Sequence, residues 1–230
     1  MTGHGGDFSN RTLPADPFPP SGPFVINPLL GSDVEAAARL YTDVFLADEP
    51  TSRRHALDRA RFFPYAQIYV RSLVDRNLSF LVRERQTGEP AGFIFSFDLT
   101  DDPATEGPEM AAFISHFREA VAMIDELEER CLSPAEARPG VAVHIFQIGV
   151  DRKFRRKGIA RDMICHALDN AKRLGFRQAI ADCTSKVSRQ VFEECGFSAQ
   201  GFSSYETFSM DGRRFFSGLE GGITLMVRDI

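Results

Sequence analysis

The sequence is poor in the residues that build disulfide or zinc scaffolds. It has no tryptophan and only four cysteines among its 230 residues, namely Cys131, Cys165, Cys183 and Cys195. No two of these cysteines have C-x-x-C spacing, and all four lie in apolar stretches of sequence. This pattern predicts reduced, buried thiols and argues against a metal site or a disulfide framework.

Long hydrophobic runs are also missing. No apolar stretch is long enough to cross a bilayer, and residues 1–24 have neither a basic start nor an apolar core. The sequence therefore predicts neither a membrane span nor a secretory signal. We expect a cytoplasmic protein without a membrane partner.

The composition divides the chain into a short arm and one domain. Residues 1–23 are rich in Gly, Pro, Ser and Asp and show no periodicity, which predicts a flexible arm. The chain is 43% hydrophobic, so residues 24–230 can bury a sizeable core. One domain over this range is the simplest expectation, although two domains stay open.

Positive charge is scarce outside one segment. The chain has a net charge of −5, and no second patch matches the density of the six cationic residues between Arg152 and Arg161. Nucleic acid binding needs a broader basic surface, so we expect no nucleic-acid partner. The segment could be a solvated surface, but its surroundings favour a compact phosphorylated ligand.

The basic segment joins an apolar strand to an amphipathic helix. Residues 143–150 are almost wholly apolar, and apolar residues recur at helical spacing from Ala160 to Leu174. The connecting loop contains Gly158, so the first unpaired N–H groups and the positive dipole end of the helix would face a bound anion. We therefore predict a phosphate-binding loop. Three cationic side chains in it are Arg155, Arg156 and Lys157.

The remaining elements follow from periodicity and turn residues. Strands are predicted at 24–27, 78–83, 91–97 and 178–183, with two more flanking residues 210–214. Helices are predicted to start near residue 32, to run from 50 towards 62, and to cover 66–73, 109–131 and 186–195. The strands at 143–150 and 178–183 are joined through a helix, so they should be parallel neighbours. A ligand should lie at the C-terminal end of the first of them.

The run Arg155-Arg156-Lys157-Gly158-Ile159-Ala160 resembles the (Gln/Arg)-x-x-Gly-x-(Gly/Ala) signature of the GNAT acetyltransferases. The resemblance implies a single α/β (α+β) domain with a mixed, mostly antiparallel sheet, one parallel crossover pair and flanking helices. It also implies that acetyl-CoA is the co-substrate, without a metal, and that backbone amides hold its pyrophosphate. The implied cofactor-binding residues are Ile148, Val150, Arg155, Arg156, Lys157, Gly158, Ile159 and Ala160.

The stretch Asp48-Glu49-Pro50 resembles a segment of the arylalkylamine N-acetyltransferase-like branch of that family, in which the glutamate is the catalytic base. Thr51 follows where the branch usually has leucine. The two acids could instead cap the helix that begins at Pro50, because negative charge is favoured there. The resemblance favours Glu49 as the base.

His144 is the second candidate base. Strand alternation places it on one face with Phe146, Ile148 and Val150. Counted back from the loop, it matches a strand histidine that vertebrate amine-acetylating members use in proton removal. A lone histidine in an apolar strand is more often a core residue. The other helical histidines, His55, His116 and His166, are expected at the surface.

A group that protonates the leaving thiol is harder to find. Many GNAT enzymes use a tyrosine in the helix before a Gly-Phe pair, but this sequence has Phe192 there. Thr184 and Ser188 match positions where insect-type members carry serines proposed to assist catalysis. Without the resemblance, Thr184 or Ser185 would be a helix cap and Ser188 an ordinary helix serine.

The resemblance as a whole implies an N-acetyltransferase that acts on a small-molecule primary amine, arylalkyl amines included. Acids at the entrance would attract an ammonium group, and the candidates are Asp48, Glu49, Asp101 and Asp102. An inactive acyl-CoA-binding protein, supported by Phe192, and a peptide or protein acetyltransferase stay as alternatives. The sequence also leaves a homodimer open.

Overall fold

A seven-stranded sheet organises the chain in a computed structural model that describes residues 22–230, without the side chain of Arg53. The predicted arm therefore lies almost wholly outside the described residues. The strands are β1 (Phe24–Pro28), β2 (Phe80–Glu84), β3 (Pro90–Asp98), β4 (Ala142–Val150), β5 (Gln178–Cys183), β6 (Ser198–Ser204) and β7 (Gly222–Asp229). Their order in the sheet is β1-β2-β3-β4-β5-β7-β6, and every adjacent pair except β4 and β5 is antiparallel. The expected mixed sheet with one parallel pair is confirmed.

Helices cover both faces of the sheet. The α-helices are α1 (Val34–Asp48), α2 (Ser52–His55), α3 (Arg59–Ser72), α4 (Pro108–Ser115), α5 (Arg118–Cys131), α6 (Ile159–Leu174) and α7 (Lys186–Glu194). Short 3-10 helices lie at Gly31–Asp33, Val74–Arg76, Pro103–Glu106 and Arg152–Phe154. Helices α6 and α7 share one apolar cluster with the sheet, and α1, α3 and α4 share a second. Helix α5 packs over β6 and β7 in a third.

Several predicted helix boundaries are wrong. The stretch 109–131 is two helices, because Phe117 turns inward and stacks edge-on against Phe45 and Phe113 between α4 and α5. The helix from residue 50 stops early because Ala56 adopts a left-handed backbone conformation. Asp58 then caps α3 by accepting a hydrogen bond from the Arg61 N–H.

The predicted last two strands are misplaced. Residues 210–214 form only an isolated bridge between Met210 and Arg213, and the real final hairpin pairs β6 with β7. The segment between them turns repeatedly, with positive φ angles at Asp211 and Gly212, and so cannot continue as strand; it places Tyr205 and Phe216 in the core.

Two expectations about exposure are also wrong. Cys165 is exposed, because it falls on the outer face of α6, whereas Cys183 and Cys195 are buried as predicted. His55 and His166 are half-buried, because the His55 ring packs against Phe117 at a centroid distance of 4.8 Å and the His166 ring packs against Phe80 at 4.6 Å. His116 is exposed as predicted.

Strands β4 and β5 separate soon after they meet. They pair in parallel only from Ala142↔Gln178 to His144↔Ile180. Strand β4 then continues beside β3, and β5 continues beside β7. No further ladder pair joins β4 to β5 within residues 22–230. The sheet therefore has an opening between these two strands.

A β-bulge in β4 changes which residues face each side. Gln147 pairs with Phe95 and Ile145 pairs with Ser96, so Phe146 is an extra residue. Ile145 precedes the bulge and Ile148 follows it, and both pack in the same apolar cluster beneath α6. The prediction that His144 shares a face with Ile148 and Val150 is therefore wrong, because simple alternation does not continue through a bulge.

Among the described residues, none of the helices combines the length and the hydropathy that a membrane crossing requires.

Gly149 allows β3 and β4 to pack closely. A Cβ atom there would lie 2.5 Å from Phe93 Cζ and 2.9 Å from Val44 Cγ1. We expect Gly149→Ala to lower the free energy of unfolding by about 1–3 kcal/mol through overpacking. Urea denaturation measures this loss. Gly31→Ala, which meets nothing within 4 Å, is the matched control. If the two variants were equally stable, Gly149 would not lie in close contact with Phe93 and Val44.

Candidate active site

A cavity of about 520 Å³ opens at the side of the sheet covered by α1, α3, α4 and α5. Much of its wall is aromatic, contributed by Tyr41, Phe45, Tyr69, Phe97, Phe113 and Phe117. His144 and Phe146 of β4 form part of the wall, and Thr184 joins it from the end of β5. The opening between β4 and β5 therefore borders the cavity.

The cavity is lined by acids. Its carboxyl groups belong to Glu49, Asp101, Asp102, Asp125 and Glu128, and no described lysine or arginine lines it. Arg76 neutralises Asp101 through an ion pair. The remaining carboxyl groups in a partly apolar enclosure favour a cation over an anion or a neutral molecule.

Glu49 presents one carboxylate oxygen to a hydrogen-bonding turn and leaves the other without a partner. Oε2 accepts hydrogen bonds from Thr51 Oγ1 at 2.7 Å and from the Ser52 N–H at 2.5 Å. Oε1 is buried without a protein partner. Burial raises the pKa of Glu49, although the hydrogen bonds from Thr51 and Ser52 and the nearby Thr184 hydroxyl oppose the increase. Glu49 therefore caps the start of α2 with Oε2 and can act as a base through Oε1.

The end of β5 is held beside Glu49 by a buried phenol. Tyr205 Oη donates a hydrogen bond to the Thr184 carbonyl oxygen at 3.0 Å. Burial first, and the Glu49 charge second, raise the pKa of Tyr205 well above its usual range. Tyr205 is thus a neutral support for the backbone that carries Thr184.

A second group of titratable side chains surrounds His144 in the cavity wall. His144 Nε2 is 2.8 Å from Asp182 Oδ2 and 3.8 Å from Glu128 Oε1. Burial raises the pKa of Glu128 to about 7; the His144 charge opposes this, and Asp182 and Asp125 reinforce it. Burial alone would lower the pKa of His144, but the hydrogen bond and charge of Asp182, with the Glu128 charge, raise it.

Each of these three residues offers one atom that could bind a metal ion, and the three atoms lie within 4.8 Å of one another. The direct contact between His144 Nε2 and Asp182 uses the nitrogen that faces both carboxylates. We therefore interpret Glu128, His144 and Asp182 as a proton-sharing cluster rather than an ion site.

The predicted phosphate loop lies at the end of β4. Arg156 and Gly158 have positive φ angles of 62° and 80°, and α6 begins at Ile159. At Gly158 only Asp162 Oδ2, at 4.0 Å, would approach a Cβ atom. The helix therefore starts in open space, with its first N–H groups available to an anion.

Arg155 is not a free charge in this loop. Its Nε donates a hydrogen bond to the Val150 carbonyl oxygen at 3.1 Å, and its guanidinium also pairs with Asp48. Arg152 contacts the same carboxylate at 3.1 Å. Burial would raise the pKa of Asp48, but these two arginines lower it. The segment carrying Glu49 is thus tied to the phosphate loop.

A family model described as the acetyltransferase (GNAT) family matches residues 35–197, which is most of the chain and includes the loop and all but one of the residues that line the cavity. The chain belongs to the GNAT family. It is therefore an acyltransferase by family. No sequence match to curated proteins was found.

Solved structures share the fold of this GNAT protein at low sequence identity. The C-terminal condensation domain of Ebony in complex with beta-alanyl-dopamine is 17% identical with a TM-score of 0.75, covering 90% of this chain and 99% of that chain. Arylalkylamine N-acetyltransferase 2 from Aedes aegypti is 17% identical with a TM-score of 0.75, covering 91% and 100%. A polyamine N-acetyltransferase from Drosophila melanogaster is 14% identical with a TM-score of 0.65, covering 90% and 100%.

The GNAT fold brings three of the four predicted catalytic residues to one cavity. Glu49, His144 and Thr184 all line it. Ser188 does not; it forms a capping box with Ser185, accepting from the Ser185 N–H at 3.2 Å and donating to its carbonyl oxygen at 2.9 Å. Phe192 is buried against Phe197, where it offers no polar group.

Sequence reasoning missed Glu128 and Asp182 as members of this site. Asp182 carried a signal, because a carboxylate within the apolar strand 178–183 needs a buried partner. Glu128 carried none, because α5 also contains Asp125, Glu126 and Glu129, and only packing brings Glu128 to His144.

The raised pKa of Glu128 predicts a pH dependence of stability. Its pKa is about 7 in the folded protein against 4.5 for an exposed glutamate, so between these values the folded state binds the proton more tightly. This contribution is complete below the unfolded pKa and is lost as the pH rises towards 7. The unfolding temperature of the parent should therefore fall from about pH 5 to about pH 8 by more than that of Glu128→Gln. Glu126→Gln, exposed on the same helix, should follow the parent; equal slopes for all three proteins would contradict the buried acid.

Proposed function

We propose that this GNAT protein transfers an acetyl group from acetyl-CoA to the primary amine of a small molecule. The observation that carries the proposal is the unpartnered Oε1 of Glu49 in an acid-lined, aromatic cavity beside the β4–β5 opening. A base in such an enclosure can take a proton from a bound ammonium group and release a nucleophilic nitrogen.

The cofactor would lie along β4 and over the start of α6. The β4–β5 separation leaves strand edge available to the pantetheine arm, and the loop offers N–H groups to the pyrophosphate. We assign this role to Ile148, Val150, Arg155, Arg156, Lys157, Gly158, Ile159 and Ala160. The Arg156 and Lys157 side chains are exposed and can pair with the phosphates. The Arg155 guanidinium is already paired with Asp48, so its role is to hold the Asp48–Glu49 segment against the loop.

Starting from the ammonium form, the nitrogen loses two protons and the sulfur gains one. Glu49 accepts the first proton from the ammonium group, and the nitrogen lone pair then attacks the thioester carbonyl carbon. The new C–N bond forms as the C–S bond breaks, and the electron pair leaves with the thiolate. The second proton leaves the acylated nitrogen and a proton binds the thiolate, so that one proton is released to solvent overall. We propose Glu49 as the principal base, His144 as the second, and the Thr184 hydroxyl as a donor to the departing sulfur. Ser188 supports Thr184 through the capped turn.

The cavity favours a small cationic amine with an apolar or aromatic body. The aromatic wall suits such a body, and the carboxyl groups suit the ammonium group. Two of the similar folds carry the names arylalkylamine and polyamine N-acetyltransferase, which supports amines as the acceptor class. We also expect a cytoplasmic protein with no metal, nucleic acid or membrane partner, whether as a monomer or a homodimer.

Gly158 tests the cofactor site. Gly158→Glu adds a side chain and a negative charge where the phosphates would bind, so acetyl-CoA affinity should fall by at least about 2 kcal/mol, or roughly thirtyfold in Kd. Calorimetry on parent and variant measures the difference. Gln200→Glu, exposed on β6, adds the same charge elsewhere and should bind like the parent. A parent without acetyl-CoA binding would disprove the cofactor assignment.

Glu49 tests the chemistry. Glu49→Gln should lower kcat by about 10²–10⁴ while acetyl-CoA affinity stays nearly unchanged, because a general base is removed. A thiol-release assay over a panel of amines measures the rate, and Glu35→Gln, exposed on α1, is the control.

Two results would change the proposal. A pH–rate profile that keeps its acidic limb in Glu49→Gln, but loses it in a folded His144→Gln variant, would reverse the two bases. Tight acetyl-CoA binding without turnover of any amine or peptide would favour an inactive acyl-CoA-binding protein, for which the buried Phe192 is the supporting observation.

A further inference from the structure

Three elements bring titratable groups together where Glu128 and His144 line the cavity and the Asp182 side chain is buried beside His144. Glu128 comes from α5, His144 from β4 and Asp182 from β5. Their side chains are 20%, 5% and 3% exposed, respectively. His144 lies in the last residue pair that joins β4 to β5, so the cluster sits where the two strands begin to separate.

Neutralising the cluster requires shared protons. Two carboxyl groups and one imidazole are buried together, and both Glu128 Oε1 and Asp182 Oδ1 lack a hydrogen-bond partner. Isolated buried carboxylates are strongly disfavoured, so at least one proton must stay within the group. No described lysine or arginine lines this cavity to provide an alternative positive charge.

We propose that Glu128, His144 and Asp182 form a second acid–base centre, in which His144 exchanges a proton with the acceptor amine and the two carboxyl groups position the imidazole. The proposal rests on the proposed amine acetylation for its acceptor. It adds two positioning residues that the family resemblance did not indicate.

The contact geometry decides which ring nitrogen exchanges the proton. Nε2 faces Asp182 at 2.8 Å and donates its hydrogen there, so Nδ1 carries the lone pair of the neutral ring. The N–H bond of the ammonium group breaks, its electron pair stays on the amine, and the proton binds Nδ1. Asp182 then stabilises the imidazolium. This is a carboxylate–imidazole pair, in which the carboxylate holds the ring in one tautomer and orientation.

Other groups set the electrostatics of the ring. Asp125 of α5 faces the same cluster and raises the pKa of Glu128 by its charge. Phe97 and Phe146 pack edge-on at ring centroid distances of 5.4 and 5.2 Å and limit ring rotation. The imidazole is therefore held on its edges by aromatic rings and at Nε2 by carboxylates.

Imidazole titration by NMR tests the cluster without a substrate. The His144 signal, assigned with His144→Gln, should titrate at least about one unit lower in Asp182→Asn, because the ion pair is lost. Glu128→Gln should lower it by less, since its contact is 3.8 Å. Glu126→Gln, on the exposed side of α5, should leave it unchanged. Glu128→Gln keeps the test decisive if Asp182→Asn does not fold.

The rate profile then separates a chemical role from a structural one. Asp182→Asn and Glu128→Gln are each combined with Glu49→Gln, so that His144 is the remaining base. The acidic limb of the kcat/KM profile should then move to lower pH by about as much as the pKa of the imidazole falls. An imidazole pKa that does not respond to either variant overturns the proposal, and so does a shifted imidazole with an unmoved limb. If no amine is acetylated at all, the proposed function fails. The NMR titration still decides whether Asp182 and Glu128 set the pKa of the His144 ring.

Discussion

The site depends on the separation of β4 and β5. Parallel pairing ends at His144↔Ile180, and β3 and β7 support the two strands as they diverge. A continuous ladder would close this part of the sheet and satisfy its backbone groups. Because it does not continue, one strand edge is left for a ligand, and the cavity meets the phosphate loop along a single strand. The bulge at Phe146 contributes by directing His144 and Phe146 to the cavity and Ile148 to the core beneath α6.

The charges of the site are organised by contacts between distant segments. Asp48 pairs with Arg152 and Arg155, so the end of α1 is joined to the loop before α6. Glu49 follows Asp48 directly, and its position therefore depends on the same loop that we assign to the cofactor. The exposed ion pairs contribute little to stability, but they orient a catalytic segment relative to a binding segment.

The acids in the cavity and next to it differ in pKa, because their burial and their partners differ. Asp48 has two arginine partners and a lowered pKa, whereas Glu49 and Glu128 have raised ones because burial dominates. A raised pKa makes a carboxylate a stronger base, which general acid–base chemistry requires. The same cavity thus combines charges that attract a cation with groups that can deprotonate it.

The sequence by itself determined the local elements and their order. The 178–183 strand, the glycine loop and the helix that follows were predictable, because periodicity and turn residues act over a few neighbours, and the loop motif resembled the family later matched. The bulge at Phe146, the break at Phe117 and the final hairpin were not, because packing against remote residues decides them. Tertiary structure alone selected Glu128 and Asp182 as partners of His144, since their approach depends on how α5, β4 and β5 pack. A carboxylate acquires its raised pKa only when that packing removes it from water.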